Sequence, residues 1–244
     1  MDQQNNNQVP APRPRREFHN LMTKGEKIAG WIYLPIHLVL MPLFLPLIMF
    51  KLTGGQMPDG TMMNVWYYLI GVVFLFIALF RYFRESYHVF THNMRNVLIT
   101  FALGYFILIA CNYALQLVMQ LFGGLPTSPN DEAVDELVKV DMRRMVAAAV
   151  IMAPIVEETL FRGLIFGSLR RKHRFWAYVV SMVLFALCHV WQYAVADQSF
   201  APLLSAFAYL PIGFVFALCY DRTGSIWTSI FFHMFYNALA LSLR

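Results

Sequence analysis

From Gly30 to Phe50 the chain runs without a single Asp, Glu, Lys or Arg. A helix of about 20 such residues crosses the hydrocarbon of a bilayer. Inside lipid the backbone amides must be bonded within the spanning structure itself, so long apolar runs of this kind fold as helices. Similar runs recur to the end of the sequence, at 62–80, 97–122, 145–169, 175–196, 200–220 and 225–243. Composition agrees, with 59% hydrophobic and only 14% charged residues, against about 45–50% and 25% in soluble domains. The expected fold is all-α: a polytopic membrane protein with a bundle of about seven transmembrane helices plus one amphipathic interfacial helix.

Between the spans the composition changes. Residues 1–28 read as a disordered cytoplasmic tail, rich in Gln and Asn and then in Pro. Residues 29–122 hold three N-terminal spans, and 123–244 hold the interfacial helix and four more. The interfacial helix starts at Ser128-Pro129, an N-cap followed by proline, with the acids Asp131, Glu132, Asp135 and Glu136 behind it. Residues 81–95 read as a basic, His-containing loop. Asn112, Gln116 and Gln120 form one polar stripe, expected to face inward and bond a neighbouring helix.

The net charge of +5 does not indicate a nucleic-acid partner, because the basic residues sit in short clusters beside apolar runs. Counted by segment, thirteen fall on one side of the membrane and five on the other. By the positive-inside rule the N-terminus is cytoplasmic. The start shows no cleavable signal peptide. Cys111, Cys188 and Cys219 match no metal or disulfide spacing and read as small buried hydrophobes. No internal repeat of the transporter kind is visible.

One stretch breaks the apolar pattern of the fourth run: Val156-Glu157-Glu158-Thr159-Leu160-Phe161-Arg162-Gly163. Charges at membrane depth cost a few kcal/mol each and persist where they are paired and functional. Glu158 and Arg162 are i, i+4 and can neutralise each other. Glu157, about 100° further round the helix, is left as the unpaired carboxylate. Two later runs add pairs at the same spacing on one helix face, Phe185 with His189 and His233 with Asn237. A buried glutamate can act as a general base near neutral pH, a histidine can share the proton of water, and a His–Asn pair can donate to an oxyanion.

Glu157-Glu158-x-x-x-Arg162, Phe185-x-x-x-His189 and His233-x-x-x-Asn237 resemble the motifs of the CAAX protease and bacteriocin-processing family (CPBP, also called Abi), glutamate-dependent intramembrane proteases. The resemblance covers about 123–243, and the compact length and Gln/Asn tail resemble the bacterial members of that family more, which implies a bacterial plasma membrane. It implies that Glu157 and His189 activate water, that His233 and Asn237 form the oxyanion hole, and that Glu158 and Arg162 are supporting. The expected activity is hydrolysis of a peptide bond in a membrane-proximal peptide or protein, without a cofactor. A zinc protease using Glu157, His189 and His233 as ligands is the chemical alternative. A non-catalytic membrane scaffold or a transporter is the functional one.

Overall fold

The structure, a computed structural model, describes residues 18–243. All regular structure among them is helical: α1 (Lys24–Leu52), α2 (Gly60–Ala78), α3 (Phe80–His92), α4 (Met94–Gln120), α5 (Pro129–Val140), α6 (142–170), α7 (Arg174–Cys188), α8 (Trp191–Ala196), α9 (Ala201–Thr223) and α10 (Ile226–Ser242). The protein is a polytopic all-α membrane protein. Four helices, α1, α2, α4 and α9, are long and apolar enough to cross a membrane, and α7 is a shorter apolar helix.

These helices do not share the interior equally. In the most apolar stretches of α1, α2 and α4 only 22%, 17% and 22% of residues are buried, against 56% for α9. α9 is therefore the hub, and the other three turn Ile32, Leu47, Ile77 and Phe106 outward, as lipid-facing helices do. Gly224 ends α9 in the left-handed conformation (φ 72°), its N–H on the Tyr220 carbonyl, so the chain reverses into α10 at once.

Several segments depart from expectation. Residues 1–17, most of the expected tail, lie outside the described residues, but 18–28 are firmly docked. Thr23 and Glu26 make a reciprocal capping box that starts α1 at Lys24. The second Glu26 oxygen accepts the Tyr82 N–H at 2.9 Å, satisfying a free donor in the first turn of α3. The expected loop at 81–95 is this helix, α3, which buries Tyr82, Phe83 and Ser86 and turns its charges outward. Ser86 in turn accepts the Ile226 N–H at 2.8 Å, fixing the start of α10.

The Asn112–Gln120 stripe is also corrected. α4 packs through Val97, Thr100, Gly104 and Leu108. Asn112 continues that face half-buried, whereas Gln116 and Gln120 are exposed, because the last turns of α4 project beyond its neighbours. Part of the basic cluster between the end of α6 and the start of α7 is structural, since Arg170 and Arg174 both hold the buried Asp221 near the end of α9, together with the Tyr178 hydroxyl.

Gly71 sets how close α2 comes to α6. A Cβ there would lie 2.9 Å from both Val156 Cγ2 and the Tyr33 hydroxyl. Only a residue without a side chain permits this approach, and it brings the preceding turn of α2 beside Glu157.

Candidate active site

α6 is continuous from 142 to 170 but widens twice, into π turns at Val146–Met152 and Thr159–Phe166 around the α-helical Ala153–Glu158. The Ala153 N–H reaches back five residues to the Ala148 carbonyl. In that register the Ala149 carbonyl would be bonded by residue 154, which is proline and has no N–H. Asn237 of α10 supplies the missing donor, its Nδ2 lying 2.8 Å from Ala149 O. Pro154 thus creates the anchor that orients Asn237. Asn237→Asp, which replaces the donor by an acceptor facing this carbonyl, should cost about 1–3 kcal/mol of stability, measured by unfolding in detergent.

Glu158 and Arg162 are fully buried and paired at 3.0 Å. The second guanidinium nitrogen, Nη2, donates to Gly213 O at 2.8 Å, and Arg162 Cζ lies 4.3 Å from the Phe185 ring centre. Glu158 does more than neutralise Arg162. Its Oε1 accepts His233 Nδ1 at 2.9 Å, and its Oε2 lies 2.5 Å from the Ser229 hydroxyl. Since a carboxylate only accepts, His233 carries a proton on Nδ1. The ring is also stacked on Phe216, with centroids 4.2 Å apart. His233 therefore presents Nε2 in a fixed direction, 3.9 Å from Glu157 Oε2, beyond direct hydrogen bonding.

Glu157 is not unpaired. Tyr68 of α2 donates its hydroxyl to Oε1 at 2.8 Å. Close packing at Gly71, one turn along α2, makes this reach possible.

His189 lies where α7 stops, rather than inside the longer span expected to run to Ala196. Its Nδ1 donates to the Phe185 carbonyl at 2.8 Å, satisfying an acceptor in the last turn of α7 and leaving Nε2 as the acceptor nitrogen. The ring stacks on Tyr209, centroids 4.4 Å apart. The Tyr209 hydroxyl is held by Ser128, Asn130 and Asp131 at the start of α5. Cys188, expected as a plain buried hydrophobe, is half-buried, with Sγ 3.3 Å from His189 Nδ1.

Glu157, His189, His233 and Asn237 all line one cavity of about 250 Å³, with Tyr68 and Phe185 in its wall. A second cavity of about 320 Å³ shares Glu157, His189 and Tyr68, and extends between Met41, Leu45 and Met63. Among the described residues no group of three or more His, Cys, Asp or Glu is arranged to hold a metal ion. Arg162 lies behind the site as a support for Glu158, whereas Phe185 supports His189 from the cavity wall. Ser229, Tyr209 and Tyr68 escaped sequence reasoning. Ser229 had a signal, since Ser229, His233 and Asn237 continue one i, i+4 stripe; Tyr68 had none.

Residues 140–239 match the family model of type II CAAX prenyl endopeptidases, Rce1-like. The chain is 32% identical over 125 residues to the Bacillus subtilis (strain 168) protein named "Putative membrane peptidase YdiL", an alignment covering 51% of this chain and 46% of that protein. It is 28% identical over 147 residues to the "Membrane-embedded CAAX protease MroQ" of Staphylococcus aureus (strain USA300), covering 57% and 55%. The chain thus spans about half the length of each of these relatives. No solved structure matches.

Proposed function

We propose that this integral membrane protein is an intramembrane endopeptidase that cleaves a membrane-proximal peptide with a glutamate-activated water, a reading supported by the match of residues 140–239 to the type II CAAX prenyl endopeptidase model. The observation that carries this reading is the single cavity lined by Glu157, His189, His233 and Asn237. Glu157 Oε2 takes a proton from water as the oxygen attacks the scissile carbonyl, and His189 Nε2 shares that proton. The carbonyl oxygen becomes an oxyanion facing His233 Nε2 and the Asn237 carboxamide. Donation from Nε2 requires the imidazolium form of His233, because Nδ1 already gives its proton to Glu158. When the C–N bond breaks, the proton taken from water passes to the leaving amine.

Apolar walls at Met41, Leu45 and Met63 favour a substrate with an apolar group beside the cleaved bond. A prenylated C-terminus, a leader or signalling peptide and a membrane protein all satisfy this chemistry. The positive-inside count supports a cytoplasmic N-terminus, and the relatives' origin supports a bacterial plasma membrane.

The test compares peptides released in membranes with and without the protein, each with and without a zinc chelator. New peptides that persist under chelation are expected. Their loss under chelation would favour the zinc mechanism, and identical peptide profiles would refute the protease reading.

A further inference from the structure

We propose that Tyr68, in α2 and outside the 140–239 segment, is a positioning residue for Glu157; this role rests on the endopeptidase reading. A carboxylate used as a base must aim one oxygen at the attacking water, and errors of about 1 Å at a reacting group cost large factors in rate. Nothing within α6 fixes the rotation of the Glu157 carboxylate. Glu158, its neighbour, spends both oxygens on Arg162, His233 and Ser229. Tyr68 holds Glu157 Oε1 at 2.8 Å, which turns Oε2 toward His233.

Tyr68 is itself held in place. Its ring meets Tyr67 edge-on, centroids 4.8 Å apart. The Tyr67 hydroxyl donates to His37 O at 3.0 Å, and the buried His37 ring stacks on Tyr67. Gly71 keeps the whole face against α6. Tyr68 also lines both cavities, so it marks the boundary between them. The N-terminal spans therefore complete the site as well as surrounding it.

The test uses the purified full chain in detergent and a synthetic peptide spanning a bond cut in wild-type membranes. Tyr68→Phe removes only the hydroxyl and should lower kcat about ten- to hundredfold, the range for a hydrogen bond to a charged group. KM and the bond cleaved should not change. Tyr82→Phe, which removes another buried hydroxyl contact (3.2 Å to Tyr220), should reduce thermal stability and leave kcat alone. Should Tyr68→Phe fold poorly, 4-aminophenylalanine at position 68 restores a donor on the same ring and should recover most of the wild-type rate. Wild-type kcat in a folded Tyr68→Phe protein, or no recovery with the amino analogue, overturns the positioning role while the protease reading stands. If folded Glu157→Gln cleaves the peptide at the wild-type rate, the glutamate mechanism falls and the role of Tyr68 falls with it.

Discussion

Glu157→Gln should give a folded protein that cleaves its peptide about 10²–10⁴-fold more slowly, the usual contribution of a general base. Glutamine keeps the size of the side chain, and its carbonyl oxygen can still accept the Tyr68 hydroxyl that now sits 2.8 Å away. The Glu158–Arg162–His233 network does not run through Glu157 Oε1, so packing is retained. Only the oxygen able to take a proton from water is lost. Turnover by the purified variant, with its melting curve beside that of the wild type, separates these effects. Full turnover in a folded variant would remove Glu157 from the chemistry.

Arg162→Met should act in the opposite way, through the fold first. Both members of the ion pair are fully buried. Removing one partner of such a pair costs about 3–5 kcal/mol, because the other is left as an uncompensated charge. Here Glu158 would keep only His233 and Ser229, beside the second carboxylate of Glu157. The Gly213 carbonyl would lose the guanidinium donor as well. Arg162→Lys should fall between, since an ammonium keeps the charge but lacks the fork that reaches Glu158 and Gly213 together. Denaturation in mixed micelles would measure both variants. Wild-type stability in Arg162→Met would mean that the pair is not needed to hold α6 in the bundle.

Helical spacing makes much of this site legible from sequence. Glu158–Arg162, Phe185–His189 and His233–Asn237 are each i, i+4, and each pairing depends on local geometry alone. The shape of α6 is half legible: Pro154 signals a disturbed ladder, but not that the freed Ala149 carbonyl is bonded by Asn237, 88 residues away. Tyr68 reaches Glu157 across 89 residues, and nothing local to a run of apolar and aromatic residues singles out one tyrosine. α3 is hidden for another reason. Arg81, Arg84 and Glu85 look like a loop when counted, although Tyr82, Phe83 and Ser86 lie on one helical face. Thr23-x-x-Glu26 is a legible capping box inside a segment that otherwise reads as tail. Gln116 and Gln120 fail as an inward stripe because helical phase gives direction and not how far a neighbour extends.

In the proposed reaction Glu157 activates water and does not itself attack the peptide. A single turnover in ¹⁸O-labelled water tests it most directly. Water attack predicts one ¹⁸O atom in the new C-terminal carboxylate of the product after the first turnover, with none in Glu157. An unlabelled first product, with ¹⁸O recovered in the Glu157 carboxylate, would show a covalent acyl-glutamate intermediate and contradict the account.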